Sequence, residues 1–189
     1  MIKCYKIVLL LMIMSGLCYA KSGLRFVEED LSFGIADSVF SVEGIYYFES
    51  DKPGNYPILY PLPADEAFGR AYDIHVKDLQ SGEELAFKFK KNAHYITFQL
   101  KVKDDTPILI SYKQELYKNF ARYILLSTHS WGQALERVEY KLKVSKDIEI
   151  TYFSIEPDNH VEVEGNTLYL WQRENFMPDS DLMFEFQEK

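Results

Sequence analysis

Four histidines, a Ser-Thr-His-Ser run, several acidic pairs and two tryptophans are the side chains of this sequence that could do chemistry. His75, His94, His129 and His160 form neither an H-x-H nor an H-E-x-x-H zinc signature, and nothing near any of them completes a ligand set. Ser127-Thr128-His129-Ser130 sets hydroxyls beside an imidazole. A serine hydrolase needs a base, an orienting acid and oxyanion donors converging in space, and neighbours on a strand point to opposite faces. There is no G-x-S-x-G elbow. The acidic groups are Glu28-Glu29-Asp30, Asp104-Asp105, Glu162 with Glu164, and Asp179 with Asp181. A glycosidase needs two carboxylates facing each other across a cleft. Glu162 and Glu164 alternate with valines instead, as on one wet strand face, and Asp179-Ser180-Asp181 lacks the rest of a calcium loop. All four groups read as solvated faces. No complete acid, base or nucleophile set emerges, so an enzyme is not expected.

The aromatic residues offer binding chemistry. Trp131 lies in Ser130-Trp131-Gly132-Gln133, between two expected strands. Such a loop tryptophan either plugs the end of a β-sandwich or stands exposed as a stacking platform for a sugar ring. In the second case Tyr117 and Tyr123 would add stacking surface. Tyr46, Tyr47, Tyr56 and Tyr60 are the residues expected at an exposed protein-binding face, with an open edge strand as the other expected interface. Trp171 closes a strand and is expected to pack.

Strands must position all of these. In 136–144, Val138, Tyr140, Leu142 and Val144 take one face and Arg137, Glu139, Lys141 and Lys143 the other; 95–102 alternates in the same way. Further strands are predicted at 24–33, 38–49, 70–78, 84–90, 107–117, 122–127, 147–155, 167–171 and 181–187, separated by Gly, Pro, Asn and Asp turns. The spacing suits a sandwich or barrel, and no helical stripe is found. Residues 51–68 hold Pro53, Pro57, Pro61 and Pro63 and read as a loop or ragged edge lying against the core. In the tail, Leu182, Phe184 and Phe186 share one side, so the last strand should dock.

The first twenty residues read as a secretory signal. Lys3 and Lys6 precede an apolar run over 7–14, then a break at Ser15-Gly16 and small residues at the −3 and −1 positions of a cut after Ala20. That run is far short of the ~20 residues needed to span a bilayer. Lipid anchoring through Cys18 is the alternative. Both cysteines, Cys4 and Cys18, lie in this segment, so the expected mature chain 21–189 has no thiol. Without Lys3 and Lys6 it carries 19 basic against 29 acidic side chains, a net charge of −10. Such a chain is repelled by nucleic acid and anionic lipid. A weak break at 118–120 could divide it into two small sandwiches; one extended sandwich is the preferred reading.

Several motifs carry a resemblance. They are Tyr112-Lys113-Gln114, Tyr123-Ile124-Leu125-Leu126-Ser127-Thr128, Trp131, and the tail Asn175-Phe176-Met177-Pro178-Asp179-Ser180-Asp181-Leu182, with Val42-Glu43-Gly44-Ile45-Tyr46-Tyr47-Phe48 and Tyr60-Pro61-Leu62-Pro63 in the first half. This pattern resembles a loose group of secreted or periplasmic bacterial and archaeal β-sandwich domains with no assigned activity. The resemblance implies secretion and a sandwich, and carries no catalytic residues over.

These features predict an all-β protein, an antiparallel β-sandwich, immunoglobulin-like or extended, of about eleven strands. The function expected is that of a non-enzymatic binding or accessory module of the cell envelope, periplasmic or secreted, with a protein partner or a glycan. The alternative is a carbohydrate-binding or carbohydrate-modifying sandwich. No cofactor, metal, nucleic acid or transmembrane helix is expected in the mature chain.

Overall fold

Alternation is converted into strands almost throughout. The computed structural model describes residues 23–64, 67, 69–90 and 94–189. The expected signal segment and Cys18 lie outside these residues. Thirteen strands follow in chain order: β1 (Leu24–Ala36), β2 (Val39–Ser50), β3 (Gly54–Pro61), β4 (Tyr72–Asp78), β5 (Phe87–Lys90), β6 (Tyr95–Val102), β7 (Thr106–Glu115), β8 (Phe120–Tyr123), β9 (Leu135–Ser145), β10 (Ile148–Phe153), β11 (Asn159–Val163), β12 (Asn166–Phe176) and β13 (Leu182–Glu188). A single 3₁₀ turn, Leu126–Trp131, separates β8 from β9.

The strands form three sheets. The large one has seven strands in the order β11-β12-β9-β1-β2-β7-β4. Two three-stranded sheets, β10-β13-β8 and β3-β6-β5, complete the fold. Both small sheets cover the same face of the large one. Phe184 of β13 packs edge-on against Phe33 of β1 and Phe40 of β2, and Tyr60 of β3 packs edge-on against Tyr46 of β2 and Tyr112 of β7. The result is the extended form of the expected sandwich. The large sheet takes strands from both sides of the break at 118–120. Pairing is antiparallel everywhere except between β1 and β9, which run parallel.

Local chemistry explains the ends. Asp37 and Ser38 both adopt positive φ, as do Glu164 and Gly165, and these pairs close the two-residue hairpins β1–β2 and β11–β12. A type I′ hairpin needs positive φ at both central positions, which suits Asp and Gly. Glu164 therefore belongs to a turn and does not share a strand face with Glu162. The proline-rich stretch is a strand after all. β3 pairs with β6 from Gly54↔Val102 to Pro61↔Tyr95, and it lies at a sheet edge, where a missing N–H is tolerated. The expected strand at 122–127 ends at Tyr123, because the chain turns into the 3₁₀ segment.

Leu182 and Phe184 are fully buried and Phe186 nearly so, which docks the last strand as its pattern predicts. Phe184 also meets Phe153 and Trp171 edge-on or tilted. Truncating such a ring leaves a cavity, so Phe184→Ala should cost about 3–5 kcal/mol. Urea unfolding should show this as a lower midpoint with an unchanged slope; a loss below about 1 kcal/mol would mean that β13 does not close the core.

Candidate functional site

The two small sheets do not touch edge to edge as one layer. Between β3 on one side and β8 with its 3₁₀ turn on the other, a seam opens over the inner face of β1, β2 and β7. Tyrosines fill it. Tyr46 Oη lies 2.8 Å from Tyr60 Oη and 2.7 Å from Tyr123 Oη, with Tyr60 and Tyr123 3.4 Å apart. Gly44 makes room for this arrangement, since a Cβ there would run into the Tyr46 ring. Tyr112 Oη is buried close by and makes no hydrogen bond among the described residues. Burial pushes all four phenols well above their usual range, so each keeps its proton and can donate.

Glu29 completes the cluster from β1. A bulge in β1 between Phe26 and Glu28 sets Glu29 in step with Leu31 and Phe33, on the inner face. It is only 2% exposed. Tyr140 of β9 donates to its Oε1 at 2.5 Å, and this is the one hydrogen bond the carboxyl makes among the described residues. Burial pushes the Glu29 pKa up to about 7; the Tyr140 hydrogen bond works against this and the neighbouring Asp30 carboxylate adds to it. No Lys, Arg or His among the described residues pairs with it. Its neighbours Glu28 and Asp30 point the other way, to the outer face, where both lie within 3.4 Å of the Arg137 guanidinium.

The seam encloses a cavity of about 40 Å³ bordered by Glu29, Tyr46, Tyr60, Tyr123, Thr128 and Trp131. A space of that size admits a small polar group but not a ring. Outside it lies a groove of about 830 Å³, bordered by Leu24, Arg25 and Asp51 on one bank, β3 on another and Ser130, Trp131 and Gln133 on a third. Ile58, Leu59, Pro61, Ser127 and Trp131 border both spaces.

Trp131 stands at the junction. Its half-buried ring leans on Phe26 and Phe48, with centroids 5.8 and 5.6 Å away. It is thus a plug on one side and a groove wall on the other. The turn that carries it is firmly held. The Asp181 carboxylate accepts the N–H groups of Leu125 and Leu126 at 3.0 Å each, His129 Nε2 donates to the Pro178 carbonyl at 2.6 Å, and Gly132 ends the turn at positive φ. Gln133 Nε2 donates to the Phe26 carbonyl at 3.3 Å. The Pro178-to-Asp181 tail and the Tyr123-to-Trp131 segment, separate in sequence, are therefore one clamp. His129, beside three hydroxyls in the sequence, serves that clamp.

The structure brings four of the seven expected contact residues together: Trp131, Tyr46, Tyr60 and Tyr123. It also corrects their setting, for the three tyrosines are buried instead of exposed, because they lie on inner strand faces under the second layer. Tyr47 is on the opposite face of β2, donating to Asp30 at 3.1 Å. Tyr56 bonds Ser50 Oγ and the Lys52 carbonyl at the start of β3. Tyr117 is 64% exposed and lies by Ala67 and Gly69, bordering neither space. Glu29 is the residue sequence reasoning missed: it reads as part of a solvated acidic run, and the structure buries it. The open edge strand expected of an interface exists as β11, whose five residues are all exposed. Trp171 packs as expected and donates Nε1–H to the Ile155 carbonyl. Among the described residues no helix is long and apolar enough to cross a membrane.

Fold and seam together define a sandwich-like all-β domain with a groove opening on a buried polar cluster. No family model matches the sequence. No curated protein matches it either. The fold is similar to several solved structures. A candidate nutrient-binding protein from Legionella pneumophila superimposes with a TM-score of 0.66 at 12% identity, over 88% of this chain and 67% of that one. The M1 zinc metallopeptidase from Deinococcus radiodurans gives a TM-score of 0.52 at 10% identity over 86% of this chain. This chain spans only 42% of that peptidase. At such identities the likeness concerns the fold.

Glu29 makes stability depend on pH in a definite sense. Its folded pKa, about 7, exceeds the ordinary 4.5, so the folded state holds a proton that the unfolded state releases. Stability is therefore lost from this group as pH rises from 4.5 to 7, by about 3 kcal/mol in full. Glu29→Gln keeps an acceptor for Tyr140 and removes the charge. It should raise the melting temperature at pH 8 and leave it nearly unchanged at pH 4.5. An equal effect at both pH values would show that Glu29 does not titrate in this range.

Proposed function

We propose that this chain is a non-enzymatic binding module of the cell envelope, exported to the periplasm or beyond, that takes a small ligand into the groove walled by Trp131. The observation that carries the reading is the junction itself. A tryptophan ring backed by Phe26 and Phe48 and fixed by the Asp181 and Pro178 clamp lines a groove of about 830 Å³. Rigid aromatic walls bind at low ordering cost. Export is supported by the charge and apolar pattern of residues 1–20. The described fold is also like that of a candidate nutrient-binding protein.

A glycan is the ligand class favoured by the same ring. Apolar sugar faces stack on aromatic platforms, and Arg25, Asp51, Ser130 and Gln133 around the groove supply donors and acceptors for hydroxyls. Tyr117 has no part in this reading, since it borders neither space. The protein-partner alternative would use the exposed edge of β11 instead.

Screening the full chain on a glycan array, followed by calorimetry with any hit, tests the proposal. Trp131→Ala should weaken binding at least tenfold, about 1.4 kcal/mol, while Tyr117→Ala leaves it unchanged. Binding that is indifferent to Trp131→Ala, or lost on Tyr117→Ala, would move the site away from the groove.

A further inference from the structure

We propose that the inner cavity is a site for a primary ammonium group, so that the groove's ligand is an amine-bearing one, with its NH₃⁺ seated against Glu29 and its body lying along Trp131. This inference rests on the groove reading and adds the ligand's charge to it.

Three observations carry it. First, Glu29 is buried, borders the cavity, and spends Oε1 on Tyr140, while its other oxygen has no partner among the described residues. A buried carboxyl left with an unused acceptor is costly, and the cost is offset when a donor arrives. Second, the walls offer aromatic rings and hydroxyl oxygens and no cation. Tyr46, Tyr60, Tyr123, Phe26 and Trp131 all border the space, and none of the described residues that border it is Lys, Arg or His. Ring faces and a carboxylate together attract a cation. Third, the size fits. About 40 Å³ holds an ammonium head and excludes a trimethylated one. A calcium ion would need six or more oxygens, which one carboxyl among phenols does not supply.

The groups facing Glu29 also set the pH dependence. They are Tyr140 from β9, Tyr46 from β2, Tyr60 from β3 and Tyr123 from β8, all held protonated, with Asp30 behind it on β1. The four phenols keep their charge state between pH 6 and 8, and Glu29 titrates among them. An alkylammonium stays charged throughout. Binding should therefore strengthen about tenfold from pH 6 to pH 8, following the ionised fraction of Glu29.

The test is calorimetry of the full chain with n-hexylammonium, 1-hexanol and hexyltrimethylammonium at pH 6 and pH 8. Hexylammonium should bind, more tightly at pH 8, and the other two should bind at least tenfold more weakly at that pH. Glu29→Gln, with folding confirmed by a cooperative thermal transition, should abolish the hexylammonium advantage over hexanol; Glu29→Asp, which keeps the charge, should retain part of it. No binding of hexylammonium at pH 8, or binding that Glu29→Gln does not change, overturns the amine site. Either result leaves the groove reading standing if a glycan hit is still lost with Trp131→Ala. Loss of an amine-free glycan hit with Glu29→Gln as well would show that Glu29 merely supports the fold.

Discussion

One layer of this protein is a single seven-stranded sheet, and the layer over it is two sheets. That mismatch is the constraint on which the rest depends. A continuous cover would have buried an apolar face against an apolar face. Two covers meeting over one floor leave a line where strand edges and a turn must end inside the molecule. Groups along such a line need both hydrophobic bulk and a hydrogen-bonding tip. Tyrosine supplies both, and the seam takes Tyr46, Tyr60 and Tyr123 from three different strands, with hydroxyls 2.7 to 3.4 Å apart.

The seam then accounts for the site. A layer interrupted there admits a cavity, and the cavity lets a carboxyl survive in the interior. Glu29 would be a defect in a closed core. Beside phenols and a small open space it becomes a poised group, since its charge state lies within reach of neutral pH. The clamp formed by Asp181, Pro178 and His129 belongs to the same logic. The turn that carries Trp131 is a 3₁₀ segment packed on the core through Thr128 and Trp131, and hydrogen bonds from the distant tail fix it there.

The fold class was legible because alternation survives intact in the long strands. Val138, Tyr140, Leu142 and Val144 are all fully buried or nearly so, as their spacing demands. The two strands that sequence reasoning did not count are instructive. β3 hides in a stretch of four prolines, two of which, Pro57 and Pro61, lie within it, and their missing donors are harmless because β3 is an edge strand paired with β6 on one side. β11 is short and wholly exposed, so the alternation of Val161 and Val163 with Glu162 marks no buried face. Trp131 was visible as a residue worth weighing, and its double character was not. Whether a ring plugs or presents depends on Phe26 and Phe48, more than 80 positions away in sequence.

Glu29 shows why the seam itself could not be read. Counted by twos from Leu24 and Phe26, the inward position is Glu28. Counted back from Leu31 and Phe33, it is Glu29. The two counts disagree because one extra residue is accommodated between Phe26 and Glu28, and a bulge shifts every later side chain to the other face. The disagreement was nevertheless present in the sequence. A strand whose two ends assign opposite parity to an acidic pair must either bulge or bury a charge at the wrong place. Here it does the first so as to do the second, placing Glu28 and Asp30 against Arg137 and Glu29 against Tyr140. Bulges re-aim side chains, and the side chain re-aimed in β1 is the one carboxyl among the described residues that border the seam's cavity.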